Sequence, residues 1–133
     1  MQYIADLVPS KNLAPANGTM PRYRLQEWLT FIGTEIHKTY SPLFNPATPD
    51  EYKTISKDKL KSRYQWLDGQ LAGKQYLLGE HFSVADGYLF AVTNWAKPTG
   101  VDIAGLANVQ AWHGRIAARP AVQEAMKAEG LIK

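Results

Sequence analysis

The amino-acid sequence predicts an all-α fold, a bundle of about five helices packed around one central helix. Three observations carry this prediction. Ser83-Val84-Ala85-Asp86 stands ahead of an apolar run that reaches Trp95, the pattern of a capped and buried helix. Apolar residues recur at three-and-four spacing from Leu25 to Tyr40 and again along the segment after Asp50. No stretch alternates apolar and polar residues for long enough to form a half-buried strand.

Met1 to Pro9 spaces Ile4, Leu7 and Val8 like the tail of an amphipathic helix, with no start signal in front. Ser10 to Gly18 is rich in turn residues and is expected to be a linker. Pro21 opens a long helix with Leu25, Trp28, Leu29, Ile32, Ile36 and Tyr40 on its apolar face; Pro42 and Pro46 are expected to close it. Beside that face runs a row of small or polar residues: Thr30, Gly33, Thr34, His37 and Ser41. Glycine inside a helix costs about 1 kcal/mol against alanine, so Gly33 implies close approach by a partner helix or another domain.

Thr48-Pro49-Asp50-Glu51 has the form of a capping box, and the helix behind it carries Tyr52, Ile55, Leu60, Tyr64, Leu67 and Leu71 on one face. Its lysines (53, 57, 59 and 61) and Arg63 mostly fall on the solvated side. Gly73 breaks this helix, and Lys74 to His81 forms an irregular connection.

In the central stretch, Ser83 and Asp86 are expected to exchange hydrogen bonds with each other's backbone, and Asp86 sits where the helix dipole favours a negative charge. Capping chemistry explains both residues, and no histidine stands near them with triad logic, so the pair is structural. A hydrophobic staple would join Phe82 to residue 87, which is glycine, so something else must fix how the chain enters the helix. Pro98 is expected to end it. A short helix follows with Leu106, Val109, Trp112 and Ile116, and then a last one from Arg119-Pro120 that uses Val122, Ala125 and Met126 and stops at Gly130.

A chain of 133 residues allows one domain with a real core, and 45% hydrophobic residues is ordinary globular composition. The formal charge of +3 is weak and scattered, which does not support nucleic acid as a partner. The basic helix after Asp50 lacks exposed interleaved aromatics, so it does not change that. No stretch has the apolar length of a membrane span, and no signal peptide is visible. The absence of cysteine excludes disulfides, thiolate metal sites and a cysteine nucleophile within these residues. His81 and His113 have no acidic neighbours at ligand spacing, so no metal is indicated. Taken alone, His37 beside Lys38 is a surface histidine next to a solvated lysine, and Trp95 is a core aromatic.

Phe82-Ser83-Val84-Ala85-Asp86, preceded by Tyr76-Leu77-Leu78-Gly79, resembles the capped central helix of the glutathione transferase C-terminal domain. Arg119-Pro120-Ala121-Val122 is similar to the start of that family's last helix. Thr34-Glu35-Ile36-His37-Lys38 resembles the bacterial beta class in particular. The resemblance spans about residue 1 to residue 131. It implies that residues 1–18 are the end of the last helix of an N-terminal thioredoxin-like domain plus the interdomain linker. Residues 19–133 are then the helical domain, and the thioredoxin-like domain itself is expected to be missing.

The same resemblance assigns roles. His37 is implied as the catalytic residue near the family's reactive sulfur, and with Lys38 it binds glutathione, whose anionic groups favour nearby cations. Thr30 and Glu35 are implied as glutathione contacts across a dimer. Tyr40 and Trp95 are implied as walls of the pocket for the hydrophobic electrophile. Ser83 and Asp86 keep their structural role.

No cofactor or metal is implied, since glutathione is a co-substrate. The partners expected are a second copy of the chain, in a C2 homodimer through the first two long helices, and glutathione with a hydrophobic electrophile in the complete enzyme. Neither nucleic acid nor membrane is expected, and the implied location is cytoplasmic. Alone, the chain is expected to be inactive. The alternative is a non-catalytic interaction module of the same fold.

Overall fold

The computed structural model describes residues 1–133 and is helical throughout, its one β feature being an isolated bridge between Tyr76 and Gly79. The helices are α1 (Gln2–Leu7), α2 (Met20–Phe31), a π-helical segment (Ile32–His37), α3 (Lys38–Phe44), α4 (Asp50–Leu71), α5 (Val84–Thr93), α6 (Ala96–Thr99), α7 (Ala107–Ala117) and α8 (Pro120–Ala128). The segments from α2 to α3 form one long rod. It packs side by side with α4; α5 packs against the rod, and α7 bridges α4 and α5. The expected all-α bundle is the fold found.

Its core takes Leu25, Ile32 and Ile36 from the rod, Leu60 and Leu67 from α4, and Leu89 from α5, with Trp112 of α7 fully buried among them. Burying one such aliphatic side chain contributes roughly 1.5–3 kcal/mol, which is why these faces set the packing.

Asp86 is the polar centre of this core. The capping box forms, and Ser83 N–H donates to Asp86 Oδ2 at 2.9 Å. Ser83 Oγ donates to the same oxygen at 3.1 Å. The other oxygen, Oδ1, accepts from Leu77 N–H and from Trp112 Nε1–H, each at 2.9 Å. One carboxylate thus joins the connection before α5, the start of α5 and the middle of α7. Burial pushes the Asp86 carboxyl above its usual range, and the four donors oppose that push. A second carboxylate works in the same way: Asp68 of α4 accepts from Val109 N–H at 2.9 Å and from Asn108 Nδ2 at 3.2 Å, covering the N-terminus of α7.

Several local expectations are corrected. Pro42 lies inside α3 and does not close it; the rod runs on to Phe44 and stops at extended Asn45. The box expected at Thr48 does not form, because Pro49 is the N-cap of α4 and no side chain caps it. The first turns of α4 overhang the core, so Tyr52 and Ile55 are exposed, and Ser56 is the first buried residue of that helix. Pro98 lies within the short α6, and α5 has already ended at Thr93. Nor is α5 wrapped on all sides, since Ala91 is exposed and Tyr88 is half-buried.

The staple question is resolved by Phe82, whose ring lies over Gly87, where an added Cβ would stand 3.6 Å from the ring tip. The guanidinium of Arg119 covers that ring at 4.0 Å from its centroid. Leu13 of the linker also takes Val84 N–H at 2.9 Å. At the other end of the chain, α1 is fastened to α2 by Arg22, which is almost fully buried. Its guanidinium meets both carboxylate oxygens of Asp6 and donates to the carbonyl of Pro15 at 2.6 Å.

Candidate functional site

The site is built where the rod changes its winding. Between Ile32 and His37 the helix widens into a π turn, and Lys38 N–H donates to the carbonyl of Gly33, five residues back. A π turn admits one extra residue and redirects the side chains that follow, here His37 and Lys38. A Cβ at Gly33 would stand 3.6 Å from the phenol oxygen of Tyr88 on α5, in ordinary van der Waals contact. The nearest neighbour of this glycine is therefore a helix within the chain, at a distance that does not require glycine.

Tyr88 Oη lies 2.6 Å from His37 Nδ1. The imidazole is held edge-on against Trp95, with centroids 5.0 Å apart and planes at 69°. Trp95 is wedged in turn by Tyr40 at 5.7 Å and Phe44 at 5.3 Å, both near perpendicular. His37 Nε2 has no hydrogen-bond partner in the chain and is not buried. The result is one free imidazole nitrogen on a partly open wall of aromatic rings.

The remaining expected residues fall in three places. Lys38 is exposed beside His37, with no ion-pair partner in the chain. Tyr40 is fully buried and donates to Tyr64 Oη at 3.1 Å, which donates to Thr93 Oγ1 at 3.1 Å, so any part it plays in a pocket passes through Trp95, which it backs. Thr30 is exposed about two turns before His37 and its hydroxyl donates to the Gln26 carbonyl. Glu35 points elsewhere. It is held by Arg63 of α4 at 2.7 Å and by Lys59 at 3.7 Å, away from the aromatic wall. Ser83 and Asp86 are buried in the core.

Burial pushes the Tyr40, Tyr64 and Tyr88 phenols up, so each keeps its proton at neutral pH. Neither Tyr88 nor Phe44 stands among the residues expected at the site. The signal for Tyr88 was available: a hydroxyl-bearing ring on an apolar helix, seven residues before Trp95. A groove of about 470 Å³ lies among Lys97, Val101, Ile103 and His113, and none of the residues around His37 lines it.

Residues 31–120 match the family model described as glutathione S-transferase, C-terminal domain. Glutathione S-transferase GstA of Escherichia coli O157:H7 is 41% identical over 131 residues, which are 98% of this chain and 65% of that protein. The solved ternary complex of BphK, a bacterial GST, superposes with a TM-score of 0.95 at 50% identity, over 97% of this chain and 64% of that one. The bacterial beta class glutathione S-transferase of Sphingomonas chungbukensis superposes with a TM-score of 0.94 at 45% identity, over 98% of this chain and 65% of that one. The chain therefore spans just under two thirds of the length of these relatives. It belongs to the glutathione S-transferase family, as the C-terminal helical domain of that family.

Proposed function

We propose that the chain is the C-terminal domain of a beta-class glutathione S-transferase and supplies one wall of a site that conjugates glutathione to hydrophobic electrophiles. The observation that carries this reading is the free His37 Nε2, set against Trp95 and beside the unpaired Lys38. Glutathione is anionic, so Lys38 and the imidazole would meet its carboxylates and sulfur. Trp95, backed by Tyr40 and Phe44, presents apolar surface to the electrophile. The other wall, with most of the glutathione contacts, belongs to a thioredoxin-like half on this polypeptide or another. Residues 1–18 then correspond to the end of that half's last helix and the linker, and residues 19–133 to the helical domain.

The complete enzyme in this reading is a cytoplasmic homodimer that needs no cofactor or metal. Glu35, with Lys59 and Arg63, faces the surface where Thr30 and Glu35 would reach glutathione of the partner subunit. No helix is long and apolar enough to cross a membrane. The test is conjugation of glutathione to a chlorinated nitroaromatic. The 133 residues alone should show no turnover above the uncatalysed background. Joined to a beta-class thioredoxin-like half they should turn over, and His37→Asn should lower kcat by about 10²-fold, the lower end for loss of a positioned proton donor or acceptor. Turnover unchanged by His37→Asn would remove His37 from the site.

A further inference from the structure

We propose that Tyr88 is the positioning residue of this site: its phenol O–H donates to His37 Nδ1, fixes the imidazole as the Nε2–H tautomer, and so makes Nε2 a neutral N–H donor at the open side. This rests on the proposed role of His37 for its chemical purpose, although the tautomer itself does not.

A distance of 2.6 Å leaves two arrangements, the phenol donating to Nδ1 or Nδ1–H donating to the phenol oxygen. The surroundings choose between them. The phenol has no other hydrogen-bond acceptor in the chain, and Gly33, whose bare Cα it faces, has its carbonyl engaged by Lys38 N–H. If Nδ1–H were the donor, the phenol oxygen, a weaker acceptor than an imidazole nitrogen, would have to accept, and the phenol proton would have no acceptor in the chain. Burial keeps that proton on the oxygen. With the phenol donating, both groups are satisfied.

The ring cannot escape the choice by turning over. A flip would exchange Nδ1 for a carbon and forfeit the bond, and Trp95, edge-on at 5.0 Å, limits intermediate orientations. Nδ1 is thus an acceptor, and the neutral imidazole must carry its hydrogen on Nε2. That atom has no partner within the chain. For an anionic sulfur the difference matters. The opposite tautomer would present a lone pair and repel it, whereas the Nε2–H form donates to it without a positive charge. Two features serve one geometry: the π turn aims His37, and Tyr88 sets the tautomer.

The experiment is long-range ¹H–¹⁵N correlation of the imidazole rings in the labelled chain, at about two pH units above the ordinary histidine value of about 6.5. In the parent, His37 Nδ1 should resonate as an unprotonated, hydrogen-bonded nitrogen and Nε2 as a protonated one. Tyr88→Phe keeps the ring and removes the hydroxyl. It should shift Nδ1 towards the position of a free imidazole and introduce a detectable Nδ1–H fraction, while His81 and His113 stay put. A second arm needs no substitution. Fluorotyrosine incorporated throughout makes the phenols more acidic and better donors, and Tyr88 is the only tyrosine in contact with a histidine, so His37 Nδ1 alone should move further in the hydrogen-bonded direction.

A protonated Nδ1 in the parent, His37 nitrogens indifferent to Tyr88→Phe, or no response to fluorotyrosine would each overturn the assignment. None of these measurements uses glutathione. A failure here is therefore distinct from unchanged turnover in His37→Asn, which would remove the proposed reaction and leave the Tyr88–His37 bond standing.

Discussion

Replacing Asp86 with alanine should destabilise the fold far more than replacing its capping partner. The carboxylate is fully buried and accepts from Leu77 N–H, Ser83 N–H, Ser83 Oγ and Trp112 Nε1. Asp86→Ala leaves at least three of these donors without water or an acceptor. At about 1–3 kcal/mol for each unsatisfied buried group, the loss is at least about 3 kcal/mol, a large share of an ordinary 5–15 kcal/mol stability. Relief of the buried charge, which burial already disfavours, holds the figure toward the lower end of that range. Ser83→Ala removes one hydroxyl and keeps the carboxylate with its three other donors, so it should cost about 1 kcal/mol. Trp112→Phe removes only one indole donor from the carboxylate, but adds a cavity. Urea unfolding at neutral pH is the assay. With a slope of about 2 kcal/mol per molar, Asp86→Ala should lower the midpoint by roughly 1.5 M and Ser83→Ala by roughly 0.5 M. Equal shifts for the two variants would mean that the carboxylate acts as a helix cap alone, and would refute its role as the joint between α5, α7 and the preceding loop.

Burial holds the His113 imidazole below its ordinary value, where it stacks on Phe90 at 4.7 Å and donates from Nε2 to Asn94 Oδ1 at 2.7 Å. Its stabilising contribution is whole above the unfolded value of about 6.5 and is lost as pH falls from there towards the folded value, by at most about 1.4 kcal/mol per pH unit; His113→Gln should flatten that slope in urea titrations run from pH 8 downward. Trp28, Phe31 and Trp66 form an aromatic cluster on the outer side of α2 and α4, with Phe31 and Trp66 at 4.8 Å and Trp66 46% exposed. If the proposed dimer uses this face, Trp66→Glu should convert it to monomer in sedimentation at micromolar concentration, and an unchanged dimer would place the interface elsewhere.

The architecture was legible because it rests on period and caps. Ser83 with Asp86 marked α5, Arg119-Pro120 marked α8, and the three-and-four spacing of Leu25, Ile32 and Ile36 marked the rod. Prolines were less informative. Pro42 and Pro98 both lie inside helices, and Pro98 stands in the first turn of α6, where a missing N–H forfeits no intrahelical bond. Thr48 had the right spacing for a box, but Pro49 became the cap. The two carboxylate joints were half visible. Asp86 could be read as a cap, whereas its bonds to Leu77 and Trp112, like that of Asp68 to Val109, join residues distant in sequence. At the candidate site, likeness to a known family singled out His37, Lys38 and Trp95, and the rings of His37 and Trp95 meet. The π turn left no trace except Gly33, and Tyr88 looked like one more apolar residue of α5.

His37 and Glu35 show why the rod needs its irregular turn. Two residues apart on a regular helix, they would lie about 200° apart, which already separates the His37 side from the α4 side. Glu35 is held to α4 by Arg63 and Lys59, and Ile36 between them is fully buried, so the rod's orientation against the core is fixed just before His37. A regular helix would then have no freedom left to aim His37. One extra residue in the π turn supplies it, carrying His37 onto Tyr88 while Ile32 and Ile36 stay in the core. The irregular hydrogen bonding is offset by the packing on both sides, which holds the turn in place. Core and candidate site therefore share a single helix without sharing a face.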